Sequence, residues 1–397
     1  MTTKLDVSAL QTSLRNAGVD AWLFYDFRGS DPIARKILGL DPSQHTTRRW
    51  LYCVPASGEP HKLVHAIERH ALGSLPGRET VYLSWQSFAE GLQAVLGGTK
   101  TVAMQYSPEN QVPYVSRVDA GTIEAVRKVG VDVVTSADLV QLFDATLSSE
   151  QLDSHKRSAA VLRRLVDDVF ARVGETLARG DKLTEAAVLS YAEERLGSAG
   201  LFYDHPPIVA VNEHAADPHF SVSPEGSADV RPGDLLLFDV WAKEKAPGSI
   251  FADITWCAFV GDEPPAETVE VFDVVRRARD ATVERADESF RKGEEIRGFE
   301  LDRVAREVVE GAGYGEYFIH RTGHSIHEEG HGNGANLDDL ETHDTRLLLP
   351  RTLFSVEPGI YLPGRFGIRL EVDVYHSGKG AEVTGPPIQE ELIGIQL

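Results

Sequence analysis

Apolar residues return along this chain at two periods. Leu162, Leu165, Val166, Val169, Phe170, Val173 and Leu177 recur every three or four positions, which predicts one buried face of a long helix. Ser148 followed by Gln151 is a capping-box pattern at its start, and Gly180 marks its end. Similar patterns predict helices over 184–196, 268–290 and 301–310. Short apolar runs between and after them predict strands over 235–241, 251–260, 353–357 and 368–374. The first third is built differently. A helix ending near Gly18 precedes strands over 19–25, 50–54, 81–83, 101–104 and 131–134, with helices over 88–96 and 120–126. Such alternation predicts a mixed or parallel sheet covered by helices. The patterns change near Thr146-Leu147-Ser148-Ser149, dividing the chain into an α/β domain over 1–147 and a larger α+β domain over 148–397.

Composition narrows the function classes. At 397 residues the chain can bury a large core without disulfide staples. Lys and Arg number 40 against 61 Asp and Glu, a net charge of −21. That surface repels phosphate backbones and anionic membranes, and no basic run reverses the sign, so no nucleic-acid or membrane partner is expected. Bound cations are one way to neutralise part of the charge. Cys53 and Cys257 sit in apolar runs, which predicts buried reduced thiols and a cytoplasmic location. The first residues carry no apolar signal region, and no run approaches the ~18 apolar residues of a membrane span.

Candidate chemistry lies in two hairpins of equal spacing. Asp239 and Asp253 are 14 positions apart, centred on Ala246 beside Pro247-Gly248. Glu357 and Glu371 are also 14 apart, centred on Gly364 beside Pro363. Folding the chain back at each centre sets the paired acids roughly opposite each other, with Cβ atoms ~5 Å apart. Facing carboxylates repel and resist burial, so a shared proton, a basic partner or a metal ion must offset them unless both pairs lie on solvated faces. Two such pairs in apolar strands, with histidines nearby, fit a cage for two divalent cations. His320, His324, His327, His331 and His343 crowd one segment. Glycines at 323, 330, 332 and 334 argue against a regular helix there and for close backbone approach. Upstream, spacing alone does not choose between His214 and His219.

The order Asp239, Asp253, His324, Glu357, Glu371 has specific contexts: Phe238-Asp239-Val240, Ala252-Asp253-Ile254-Thr255, Gly323-His324-Ser325, Val356-Glu357-Pro358-Gly359-Ile360-Tyr361 and Ile368-Arg369-Leu370-Glu371. It resembles the pita-bread metallopeptidases: aminopeptidase P, prolidase (Xaa-Pro dipeptidase), methionine aminopeptidase and their non-peptidase relative creatinase. The resemblance spans the chain, because the first third is similar to the creatinase-type amino-terminal domain. It implies an α+β fold, a carboxy-terminal pita-bread catalytic domain with a smaller creatinase-like α/β domain.

The resemblance also implies roles. Asp239 is a terminal ligand of one metal, Asp253 and Glu371 bridge both, and His324 and Glu357 complete the second, with Glu357 also the acid/base. His219 and His331 hydrogen-bond the substrate or the developing oxyanion. Arg346 and Arg369 resemble arginines near the site in relatives; Arg369 braces Glu371, and Arg346 either holds a dipeptide's carboxylate or forms a surface ion pair. His205 stands on the substrate side where relatives commonly have a tyrosine. The segment after His331 and a longer first hairpin also depart from the family pattern. The implied activity is hydrolysis of Xaa-Pro dipeptides by a water or hydroxide between two metal ions, Mn²⁺ first, with Zn²⁺ or Co²⁺ as alternatives. The alternatives are an aminopeptidase P acting on longer peptides, or a lyase or binding module on the same fold. A homodimer is implied as well.

Overall fold

The computed structural model describes residues 5–223 and 226–397. The chain separates into two compact units, one ending at Asp144 and the other spanning Ala145–Leu397. In the first, β1 (Ala21–Asp26), β2 (Trp50–Pro55), β3 (His61–His65), β4 (Arg78–Tyr82), β5 (Thr101–Met104) and β6 (Asp132–Thr135) form one sheet, ordered β4-β3-β2-β1-β5-β6. β1, β5 and β6 run parallel, and β2 pairs antiparallel with both β1 and β3. Helices α1 (Val7–Ala17), α2 (Pro32–Ile37), α3 (Trp85–Leu96), α4 (Ala120–Lys128) and α5 (Ala137–Asp144) accompany it. β1 is apolar up to its last residue because both of its faces are covered. Trp22 and Phe24 pack with Leu10, Leu14 and Val140, while Ala21, Leu23 and Tyr25 pack with Leu92, Val102 and Ile123.

The second unit opens with α6 (Ser149–Ala178). Ser148 accepts from Gln151 N at 3.2 Å, and Gln151 Oε1 accepts from Ser148 N at 3.0 Å, the reciprocal cap its sequence predicts. Residues 145–147, read from the sequence as the end of the first domain, join this unit. Leu147 N donates to Arg351 O at 2.8 Å, and its side chain packs with Ile250, Phe251, Ile326 and Leu353. Then come α7 (Glu185–Ser198), β7 (Leu201–Phe202), β8 (Ile208–Val211), β9 (Leu235–Glu244), β10 (Ala252–Val260), α8 (Ala266–Lys292), α9 (Gly298–Gly311), β11 (Ser325–Ile326) and β12 (Leu353–Val356). β13 (Gly359–Leu362), β14 (Phe366–Arg369), β15 (Val372–His376), β16 (Ala381–Val383) and β17 (Ile393–Ile395) follow.

One sheet runs β17-β10-β9-β7, with β8 also on β9; a second runs β11-β12-β15-β16; β13 and β14 form a hairpin. The alternation along β9 explains where the site lies. Leu236, Phe238 and Val240 point into a core with Leu162, Val166, Val169 and Val173 of α6. Leu235 and Leu237 point the other way, toward Phe272, Val275, Ala305 and Ile368. Asp239 belongs to that second face, where the apolar pattern gives way to carboxylates.

Candidate metal centre

The β9–β10 register corrects one expectation. Asp239 faces Thr255, and Asp253 faces Trp241, so the two aspartates are diagonal neighbours on one face rather than opposite each other. Their carboxylates still act on each other's charge, because diagonal positions remain within side-chain reach. The glutamates do face each other. The β12–β15 and β13–β14 ladders share one register, interrupted around Pro358, and its continuation sets Glu357 across from Glu371. Neither glutamate spends its backbone N–H on that ladder: Glu357 N donates to Thr322 O at 2.7 Å and Glu371 N to Thr255 O at 3.2 Å.

His324 enters from β11's edge. Gly323 precedes it because any Cβ there would collide with Ser355 O. His324 N donates to Ser355 Oγ at 2.9 Å, and Ser355 N donates to His324 O at 2.8 Å. Nδ1 lies 3.2 Å from Ser325 O, which assigns the proton to Nδ1 and leaves Nε2 as a lone-pair donor. Nε2 is 3.3 Å from Glu357 Oε1 and 3.8 Å from Asp253 Oδ2. Ligand atoms of Asp253, His324 and Glu371 lie within 4.8 Å of one another, all buried.

Arg369 anchors the opposite side. Its Nη2 is 2.5 Å from Asp239 Oδ2, its Nε donates to Thr255 Oγ1 at 3.2 Å, and Thr255 Oγ1 donates to Glu371 Oε2 at 2.8 Å. The arginine expected to brace Glu371 therefore pairs with Asp239 and reaches Glu371 through a threonine. Nη1 is held by Tyr361 Oη at 3.0 Å and Pro218 O at 3.2 Å, so the guanidinium is committed to the protein.

These groups are short of positive charge. Burial, then Asp239 and Asp373, push the Asp253 carboxyl well above the usual carboxylate range. Burial, then Asp253 and Glu357, do the same to Glu371. Glu357 is pushed up to about 7 by burial, against the pull of Arg369 and Arg321. Burial, then His331 and Arg321, hold His324 well below the usual imidazole range. Asp239 Oδ1, Asp253 Oδ1 and Glu371 Oε1 are buried and take no hydrogen bond from the protein. Orphaned carboxylate oxygens beside a deprotonated imidazole nitrogen are the donor set of a hard divalent cation, and the residues present fit one.

The other expected site residues separate into two groups. His331 lies at the mouth, its ring 4.1 Å from that of His324, with Arg321 Nη2 3.4 Å from its Nδ1. His219 is exposed and close enough to His331 to act on its charge. His214, the other reading, is locked away: Nδ1 is 2.9 Å from Glu185 Oε1 and the ring stacks on Phe220 at 4.3 Å. His205 is 78% exposed and pairs with its neighbour Asp204. Arg346 is corrected. Its guanidinium is buried, bound through Nε and Nη2 to Asp344 and through Nη1 to Asn333 O, so it is neither a surface pair nor open to a substrate. Two neighbours went unread in the sequence, Trp241 opposite Asp253 and Asp373 two residues beyond Glu371. Strand alternation from Glu371 was the available signal for Asp373.

Comparison with known proteins supplies the family. The sequence model of metallopeptidase family M24 matches residues 153–377. The probable dipeptidase PepE of Mycobacterium tuberculosis is 30% identical over 338 residues, 83% of this chain and 81% of that protein. An Xaa-Pro dipeptidase of Lactobacillus delbrueckii is 35% identical over 193 residues, 48% of this chain and 47% of that one. Among solved structures, dipeptidase PepE from Mycobacterium ulcerans superposes with a TM-score of 0.71 at 24% identity, covering 98% of this chain and 97% of that one. The prolidase of Thermococcus sibiricus gives 0.63 at 22% identity, covering 99% and 100%. The fold is the pita-bread fold of those enzymes, and the chain belongs to metallopeptidase family M24.

Proposed function

We propose that this protein is an Xaa-Pro dipeptidase that works with two divalent cations. Asp239 would hold one of them, His324 and Glu357 the other, and Asp253 and Glu371 would be shared between the two. The observation that carries the reading is the set of three buried carboxylates, Asp239, Asp253 and Glu371, each with one oxygen that takes no hydrogen bond from the protein. Bound there, the cations supply a water acidic enough to ionise near neutral pH and an electrophilic pull on the scissile carbonyl. Glu357, steadied by Ser355 Oγ at 3.0 Å, would accept a proton from the attacking water and return it to the leaving nitrogen. His219 and His331, at the mouth, are placed to donate to the substrate carbonyl as negative charge develops. Arg369 holds Asp239 in position. His205 stands on the substrate side.

Oxygen-rich ligation favours Mn²⁺ over Zn²⁺ or Co²⁺. Two buried free thiols, Cys53 and Cys257, suit a cytoplasmic setting. No helix among the described residues is long and apolar enough to cross a membrane. The reading extends to a homodimer, which sedimentation tests. The deciding experiment is metal analysis of the purified protein with a panel of Ala-Pro, Ala-Ala and longer Xaa-Pro peptides. Two equivalents of metal, hydrolysis of Ala-Pro and no cleavage of longer peptides are expected. Cleavage of the longer peptides makes it an aminopeptidase P, and bound metal without hydrolysis of any peptide favours a lyase or binding module.

A further inference from the structure

The strand that carries Asp253 has one paired edge and one that is not. β9 pairs with it along residues 252–259, but on the other side β17 reaches only residues 258–260. Between 250 and 257 the second edge is met one group at a time. Ile250 N donates to Ser154 Oγ at 3.1 Å, and Phe251 O is 2.7 Å from His155 Nδ1. Asp253 N donates to Asp373 Oδ2 at 2.9 Å, and Thr255 O accepts from Glu371 N at 3.2 Å. Cys257 N and O are both taken by the Gln389 amide, at 2.9 and 2.6 Å.

Two of these contacts come from one short stretch of chain. Glu371 and Asp373 lie on the same face, two residues apart, and grip Thr255 and Asp253, also two residues apart. The pair of contacts sets the spacing between Asp253 on one sheet and Glu371 on the other. Asp373 is itself fully buried and held from behind. Thr384 N donates to its carbonyl at 2.9 Å, and the Thr384 hydroxyl is 2.6 Å from His155 Nε2. With Nδ1–H of His155 given to Phe251 O, Nε2 accepts the threonine proton, so a single tautomer satisfies the chain of bonds. His155 Nε2 is 3.8 Å from Asp373 Oδ2, close behind the carboxylate.

The geometry points to Asp373 as a positioning residue of the metal centre: with its main-chain carbonyl tied to Thr384 N, its carboxylate clamps the backbone of Asp253 at the distance from Glu371 that would let both carboxylates hold one pair of cations. The inference rests on the two-cation reading above. Asp373 acts through Asp253, and what matters is an acceptor oxygen at one place, not its charge.

The test titrates metal-free protein with Mn²⁺, following uptake by calorimetry and the coupled Mn²⁺–Mn²⁺ signal by electron paramagnetic resonance. Asp373→Ala is expected to weaken uptake of the second ion by roughly 10–100-fold and to replace the coupled signal with that of isolated ions. Asp373→Asn, which keeps an acceptor for Asp253 N–H, should retain both. Asp373→Glu, which moves the acceptor by one methylene, should lose both. If Asp373→Ala does not fold, the Asn and Glu variants carry the test alone. Unchanged uptake and coupling in the Ala and Glu variants, with only a lower melting temperature, overturn the inference. So does loss in Asp373→Asn as complete as in Asp373→Glu. A parent protein that takes up no Mn²⁺ pair overturns the proposed function and this inference together. A parent that does, alongside indifferent variants, overturns this inference only.

Discussion

Buried acids in the first unit and at the candidate metal centre of the second are handled in opposite ways. In the first unit each acid is answered locally. Asp26 accepts from Gly29 N at 3.1 Å and Asp31 N at 3.0 Å, and Glu68 accepts from Thr47 N, Thr47 Oγ1 and Arg48 N at 2.6–3.0 Å. Asp31 caps α2 through Ala34 N at 2.8 Å but leaves its second oxygen unpaired, and burial, then Asp26, push it up to about 7. One proton is enough for such a lone misfit. At that centre Asp239, Asp253, Glu357 and Glu371 crowd together with Arg369 paired to Asp239, and three of their oxygens take no hydrogen bond from the protein. Four acids so close together compete for few protein donors, whereas cations would satisfy the oxygens that protein donors leave free. Acids that end on nearby backbone donors are structural; acids that end on each other are built for a cation.

Removing one of the facing acids should therefore have the largest effect. Glu357→Ala deletes both a proposed ligand and the proton carrier, and kcat on Ala-Pro should fall by roughly 10²–10⁴-fold. Turnover within a few fold of the parent would remove Glu357 from the mechanism. Next in size is the stability contributed by metal. Mn²⁺ at a hundred times its dissociation constant should stabilise the folded protein by about 2.7 kcal/mol, lost on chelation, as read by thermal denaturation. Asp239→Asn should shrink that increment. Asp26→Asn should melt earlier yet keep the increment intact, and a loss there as large as in Asp239→Asn would erase the distinction between the units.

The smallest effects are those of single titrations, and they run in opposite directions. Asp31 has a raised value, so its contribution to stability is fully present below the unfolded value of ~3.9 and is lost as pH rises through about 7. His376, flat against Phe290 with ring centres 3.5 Å apart, is pushed down to about 4 by burial. Its contribution is fully present above the unfolded value of ~6.5 and is lost as pH falls through about 4. Asp31→Asn should remove the fall in melting temperature as pH rises from ~3.9 to about 7, and His376→Phe the fall as pH drops from ~6.5 to about 4. An unchanged slope in either variant refutes that assignment.

Much of this was legible in the sequence, and the gaps have physical causes. The capping box at Ser148 and the apolar stripe of α6 are local signals, and local hydrogen bonds answer them. The β13–β14 turn is tight around Gly364, whose φ of 71° suits glycine, so equal spacing about that residue fixes the pairing of Glu357 with Glu371. The β9–β10 turn is longer and uneven, and a midpoint at Ala246 misses the register that sets Asp253 against Trp241. Arg346 and Asp344 are near neighbours in sequence, but nothing in their spacing reveals that both are buried. Strand alternation puts Asp373 on the face of Glu371, but what it binds was out of reach for a different reason. Its partner is a backbone N–H 120 residues away, freed by a strand edge that only the assembled sheets define.

That half-paired edge of β10 also bears on how the protein matures. The proposed bridging ligands, Asp253 and Glu371, come from two sheets joined along a seam by isolated contacts rather than by a continuous ladder. A chain whose sheets have formed but not docked holds the acids apart and has no place for the ions. Loading with manganese would thus report the last step of assembly, and ions already present would fasten the seam as it closes.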